Sequence, residues 1–252
     1  MTLRVATWNI REASAAASDD PFDPWEFVKD LNLDVLAMQE VPFDDGRSSK
    51  VLAAMRSLAG LRSASALPLH PSGFGASMSG LATLARHPQS EPTNSFFDPE
   101  GQAIVVDGRL ENVHNKAISR VTCFTPLGAV VLFNLHLFPF QRMGLAASHE
   151  RFESVWRMVR GQLEASKDLP TVVFGDFNTP IRELAMAPEA SYSRVVGDRV
   201  THEGFASDDI LISRHFRARR VELLENPSDH LLCFAELEMP GQPGGEQADS
   251  QG

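Results

Sequence analysis

Positions 3–10 alternate Leu3, Val5, Thr7 and Asn9 on one face with Arg4, Ala6, Trp8 and Ile10 on the other, the period of two that marks a central β-strand. A second buried strand is read over 34–41, ended by Pro42 and the turn-prone Asp44-Asp45-Gly46. Between the two, 24–31 places Trp25, Val28 and Leu31 at helical spacing, with Asp23 as a cap and Pro24 at the first helical position. Ser49 is set to cap a helix that gathers Val51, Leu52, Met55 and Leu58 on one face, and Gly60 stops it. From 61 to 107 Pro, Gly and Ser are frequent and only 81–86 has strand character; the Gly/Ser-rich 72–79 reads as a loop able to face a substrate.

The pattern sharpens from Ile118. Val121, Cys123 and the apolar run from Val130 flank Thr125-Pro126-Leu127-Gly128, a hairpin with a strong turn. A helix beginning at Ser148 turns Phe152, Val155, Trp156, Val159 and Leu163 inward, and a strand over 171–177 precedes a short helix after Pro180. Strands over 208–213, 219–224 and 231–237 close the pattern, and 240–252 reads as a polar, Gly-rich, disordered tail. This order points to an α/β (α+β) domain over 1–239, with two sheets face to face and helices outside.

At 252 residues the chain is about 1.7 times the usual domain length, with ordinary globular composition at 43% hydrophobic and 22% charged. No apolar run approaches the roughly 18 residues of a membrane span, so no membrane partner is expected. The first residues enter a strand directly rather than a basic-then-apolar leader, and Cys123 and Cys233 sit in apolar runs. A cytoplasmic location without disulfides is the expectation, and no protein partner is indicated.

The net charge of −10 gives no bulk attraction for a polyphosphate. Arg217 and Arg219 would share a face of a strand within the basic segment 214–220, either as a backbone-gripping ridge or, more simply, as a solvated edge. His114-Asn115-Lys116 could meet a phosphate from a loop, with a plain surface turn as the simpler reading.

Candidate chemistry lies where polar residues interrupt buried strands, because burying them unpaired is costly. These are Asn9, Gln39-Glu40, Asn134 with His136, Asp176 with Asn178, Asp208-Asp209 and Ser228-Asp229-His230. Singly, each has a plain structural account. Together, carboxylates and carboxamides suit Mg²⁺ or Mn²⁺, whereas no Cys/His clustering of the zinc kind is visible. An upstream Asp with a late His makes an orienting pair.

In this order Trp8-Asn9, Gln39-Glu40, His136-Leu137, Gly175-Asp176-Phe177-Asn178, Asp208-Asp209-Ile210-Leu211 and Ser228-Asp229-His230 resemble the endonuclease/exonuclease/phosphatase superfamily, as does Gly80 to Pro88. The resemblance covers about 3–238. It implies a four-layer sandwich of two mixed, mostly antiparallel sheets with the site at one edge of both. It also implies Glu40 as the principal metal ligand with Asn9 and Asp229 close by. Asp176 and Asn178 would position water and scissile phosphate, His230 would pair with Asp208, and His136 would bind phosphate from the opposite side. Asp208 is chosen over Asp209 because family members place the acid five residues before a serine, here Ser213. His136-Leu137 replaces the Tyr-x-Pro-Asn of the apurinic-site branch, and Val41-Pro42 follows Glu40 where that branch carries Thr-Lys. The expected activity is Mg²⁺- or Mn²⁺-dependent phosphodiester hydrolysis, in DNA or another nucleic acid. The alternatives are a small-molecule or lipid phosphate and, given that every motif residue is retained, less readily a non-catalytic binding protein.

Overall fold

The computed structural model describes residues 2–46, 48–97, 103–106, 109–112, 114–186 and 192–240. Its strands, in chain order, are β1 (Thr2–Asn9), β2 (Val35–Phe43), β3 (Ser63–Pro71), β4 (Met78–Ala85), β5 (Thr93–Phe97), β6 (Ala103–Val106) and β7 (Arg109–Asn112). They continue with β8 (Lys116–Thr125), β9 (Gly128–His136), β10 (Thr171–Asp176), β11 (Tyr192–Arg194), β12 (Asp208–Ser213), β13 (Arg217–Leu224) and β14 (Leu232–Glu238). One six-stranded sheet has the order β13-β14-β1-β2-β4-β3, the other β11-β12-β10-β9-β8-β5, and β6 pairs with β7 as a hairpin.

Each six-stranded sheet is antiparallel except for one central parallel pair, β1 with β2 and β9 with β10. Parallel neighbours require a crossover. In the first sheet it carries the helix α1 (Trp25–Val28), in the second α3 (Glu153–Glu164); α2 (Lys50–Leu58) follows β2.

Period-two alternation sorts the strands into layers. On β9, Val130 and Leu132 face the first sheet and pack with Val5, Val35 and Ala37. Val131, Phe133 and Leu135 face the other way, onto Val155, Trp156, Val159 and Leu163 of α3. Trp8, Leu36 and Met38 likewise cover the outer face of the first sheet against Val28, Leu52 and Met55. Each such large apolar side chain contributes about 1.5–3 kcal/mol when buried. The result is the four-layer sandwich expected.

Several local expectations change. The first helix is only Trp25–Val28, with no cap from Asp23, because a turn at Leu31 and left-handed Asn32 (φ 52°) stop it early. Strand β2 runs through Pro42 to Phe43. Its β1 side is open beyond the Asn9–Gln39 pair, so the missing N–H of Pro42 removes no ladder bond there. The short helix after Pro180 is a 3-10 turn, Arg182–Leu184. Strands β3 and β5 emerge in the stretch that carried little strand character. Of the tail expected over 240–252, only Pro240 lies within the described residues.

The basic segment adopts the plain reading. Strand β13 is a sheet edge, Arg219 pairs with Glu238 at 3.3 Å and Arg220 with Glu222 at 2.7 Å. Cys123 and Cys233 are buried and free, and burial pushes the Cys123 thiol up to about 12. No helix among the described residues is long and apolar enough to cross a membrane.

Candidate active site

The carboxyl ends of the two central parallel pairs open at the same edge of the sandwich. Asn9 stands opposite Gln39, and His136, Asp176 and Asp208 stand in one row across β9, β10 and β12. Residues paired across strands share a face, so this row points into the gap between the sheets. There the Nδ2 of Asn9 donates to Asp176 Oδ2 at 3.1 Å and to Glu40 Oε1 at 3.2 Å, joining one sheet to the other. Asp209, on the opposite face, binds Arg194 Nε at 3.1 Å and the Val196 N–H at 2.9 Å, away from this row.

Consecutive strand residues face opposite ways, so Gln39 and Glu40 need a bulge to serve one site. Met38 pairs with Ala82 and Val41 with Gly80, leaving two residues of β2 against Leu81 alone. Glu40 takes the left-handed conformation (φ 52°) and turns to the cleft. Gln39 stays inside, donating to Asn134 Oδ1 at 2.7 Å and to Thr7 Oγ1 at 3.1 Å. Asn134 in turn donates to the carbonyls of Met38 (3.1 Å) and Ala82 (3.0 Å), the two residues that border the bulge. Asn134 and Gln39 are thus structural.

Gly175 is required by close approach: a Cβ there would lie 2.5 Å from the Leu135 carbonyl oxygen. Beyond it, left-handed Asn178 (φ 51°) donates its N–H to Asp176 Oδ1 at 2.9 Å and its Nδ2 to the Leu137 carbonyl at 3.0 Å. His230 Nδ1 lies 2.8 Å from Asp208 Oδ2, and its Nε2 lies 3.8 Å from Asp176 Oδ2. The Thr201 hydroxyl accepts the Ser207 and Asp208 N–H groups, and Ser228 Oγ donates to the Asn9 carbonyl at 2.9 Å, tying both loops to the site.

Burial opposes charge on His230, yet Asp208 and Asp176 outweigh it and raise the imidazole to about 10. Burial, with Asp208 second, pushes the Asp176 carboxyl up to about 6. Burial and then Lys116 drive His136 well below its ordinary value. Asp229 is held low: burial works the other way, but His202, His230 and Arg11 prevail, at 3.7, 4.0 and 3.5 Å.

The residues expected to hold metal, water or phosphate gather at one cleft of about 620 Å³, with Asp208 behind His230 and Asn9 behind Glu40 and Asp176, whereas Gln39, Asn134 and Asp209 stay outside it. Its donor set suits a hard divalent cation, being rich in carboxylate oxygens. Asp176, Asp208 and His230 offer ligand atoms within 4.8 Å of one another, and Asp208 Oδ1 is buried without a partner. Asn9 turns its NH₂ rather than its oxygen to the two carboxylates, while its Oδ1 accepts the Arg11 N–H at 3.1 Å.

Sequence reasoning missed several cleft residues. His202 stacks on His230 with centroids 4.0 Å apart, and with Asp229 these imidazoles form a second cluster of possible ligands, which the sequence spacing conceals. Arg11, Phe74 and Phe205 line the mouth, the two phenyl rings being 43% and 45% exposed. Lys116 is no surface turn: it opens β8, is 6% exposed and faces the cleft. The Gly/Ser-rich loop expected to face a substrate supplies Gly73 and Phe74.

A protein-family model described as the endonuclease/exonuclease/phosphatase family matches residues 6–230. Among solved structures, an endonuclease/exonuclease/phosphatase from Beutenbergia cavernae is similar at TM-score 0.68 and 18% identity, over 95% of this chain and 72% of that one. The human Nocturnin catalytic domain, with bound sulfate, follows at 0.65 and 18%, over 94% and 93%. A mannosyl-6-phosphatase from Bacteroides thetaiotaomicron gives 0.60 and 15%, over 94% and 100%. At such identities these likenesses speak for the fold alone. Comparison with curated proteins finds no match. The family model spans most of the chain, from β1 to His230, and the chain therefore belongs to the endonuclease/exonuclease/phosphatase family of phosphoesterases.

Proposed function

We propose that the cleft hydrolyses phosphodiesters by in-line attack of water, with Mg²⁺ or Mn²⁺ as cofactor and an unpaired nucleic-acid strand or nucleotide as substrate. The observation that carries the reaction is Asp176, set between the Asp208–His230 pair and the Asn9–Glu40 pair. With its carboxyl near 6 and two N–H donors fixing its oxygens, Asp176 is ionised at neutral pH and takes the proton of the attacking water. His230, held protonated by Asp208, donates from Nε2 to a phosphoryl oxygen as charge builds there. Neutral His136 and the amide of Asn178 bind the phosphate without adding negative charge. Glu40 and Asp229, with Asn9 beside them, would hold the cation, which when bound neutralises the phosphoryl and leaving oxygens.

The substrate class rests on the mouth. Phe74 lies over the Arg11 guanidinium at 4.6 Å, Arg11 reaches Asp229 at 3.5 Å, Asp229 reaches His202 at 3.7 Å, and His202 bonds to the Phe205 backbone. The two exposed rings therefore flank the Arg11–Asp229–His202 chain at the mouth of the cleft, where a splayed base can stack for about 1–3 kcal/mol. A small phosphate ester is the second reading, which the −10 net charge does not disfavour.

The test is a panel of single-stranded and duplex DNA, RNA, a small diester and a monoester, each with Mg²⁺ or Mn²⁺ and a chelator control. Diester cleavage should fall on the order of 10²–10³-fold in folded Asp176→Asn and His230→Ala proteins. Equal turnover by those variants would refute the mechanism, and monoester-only activity would favour the second reading.

A further inference from the structure

A buried ammonium normally sits beside a carboxylate, because an uncompensated charge out of water is costly. Lys116 breaks this rule. It is 6% exposed, and among the described residues no carboxylate oxygen lies within 4 Å of its Nζ. Its polar contacts are the His136 ring nitrogens, at 2.9 Å to Nε2 and 3.2 Å to Nδ1. His136 Nε2 is in turn 3.5 Å from Asp176 Oδ2 and 3.8 Å from Glu40 Oε1. The side chain opens into the cleft that Arg142 and the stacked His70–His114 pair, with ring centroids 4.3 Å apart, also line, and both Arg142 and His70 feel its charge.

We propose that Lys116 is the base of an anion subsite that takes a non-bridging oxygen of the scissile phosphoryl group, making it a further catalytic residue opposite His230. The inference rests on the reading of the cleft as a phosphoester site. A phosphoryl oxygen on Nζ supplies the direct ion pair that Glu40 and Asp176, acting on the amine only from beyond 4 Å, do not make. The same oxygen lies within reach of neutral His136, and the fixed positive charge grows in value as the phosphorane forms. Burial disfavours the charged amine, with Glu40 and Asp176 acting against that, so the anion also restores the protonated form.

The test begins without hydrolysis. Inorganic phosphate is titrated into chelator-treated wild type, Lys116→Met and Lys116→Arg, followed by calorimetry. Wild type should bind, Lys116→Met at least tenfold more weakly, and Lys116→Arg within a few-fold of wild type. Because methionine removes a lone buried charge at similar length, Lys116→Met should melt no lower than wild type. Unchanged phosphate affinity in Lys116→Met, or no binding by wild type up to 50 mM (about the weakest affinity worth the name), overturns the proposal; so does a melting temperature lowered equally by both substitutions. Loss of binding with kcat on a small diester undiminished would refute the assignment to the scissile group. Should wild type cleave no diester while its phosphate binding still depends on Lys116, the proposed function fails and the subsite stands.

Discussion

Asn134 reaches from β9 across the gap to the bulge of β2, and its replacement by leucine gives a sharp test of how the site is held. Leucine keeps the branched shape, though it is bulkier, and loses three buried hydrogen bonds, to Gln39 Nε2 at 2.7 Å and to the carbonyls of Met38 and Ala82 at 3.1 and 3.0 Å. Only one side of each bond is removed, so two carbonyls and an amide lose a partner in the interior. Such losses cost about 1–3 kcal/mol per group; because Gln39 keeps Thr7 and carbonyls tolerate under-satisfaction, the sum is about 3–5 kcal/mol. That is a large share of the roughly 5–15 kcal/mol that stabilises a typical domain, and corresponds to about 10 °C in melting temperature. Urea unfolding measures it directly. The same substitution frees the bulge that presents Glu40, so the concentration of Mg²⁺ needed for half-maximal turnover should rise. A loss below about 1 kcal/mol, with unchanged metal dependence, would refute the view that the opposite sheet pins the bulge.

Further outcomes follow from single residues. Gly175→Ala should destabilise by about 1–3 kcal/mol, because its Cβ meets the Leu135 carbonyl at 2.5 Å; Gly161→Ala, in α3 with nothing within 4 Å, should stabilise by about 1 kcal/mol, and thermal melts separate the two. His70 is lowered to about 3 by burial and then Lys116. Its folded value lies below the ordinary 6.5, so the unfolded chain binds the extra proton between those limits and stability falls as pH drops from about 6.5 toward 3. A His70→Asn protein should show a flatter decline over that window in urea titrations, and an unchanged slope would count against this. Substituting both Phe74 and Phe205 by alanine should raise KM for single-stranded oligonucleotides while sparing a small diester; equal effects on both would remove the stacking argument.

Much of the architecture is legible because it follows period-two burial. The strand over 208–213 was placed to the residue, and with it the opposition of Asp208 to Asp209. The helix bearing Trp156 was found from its inward face, but it starts at Glu153 rather than Ser148, because 150–152 forms a 3-10 turn ahead of it. The edge strands β3 and β5 were not legible: each closes one side of a sheet and carries mixed, half-exposed positions with Pro or Ser among them. Site residues divided on similar grounds. Asn134 and His136 look alike in the apolar run Phe-Asn-Leu-His-Leu, yet one braces the sheets and the other faces the cleft, since only His136 stands at the strand's end. Glu40 was found from its neighbours in the motif, but the bulge that turns it depends on partners in β4 and β9. Lys116 looked like a surface residue, because nothing in its immediate sequence reveals that it opens β8 beside His136.

Because Asn9 and Glu40 hang from one sheet while His136, Asp176 and Asp208 hang from the other, the reacting groups span a seam. A sideways slip of about two ångströms between the two β layers would separate Asn9 from Asp176, now 3.1 Å apart, while leaving every ladder within each layer whole. Catalysis is therefore a finer gauge of this alignment than any measure of secondary structure, and gentle denaturant should silence the enzyme well before its strands come apart.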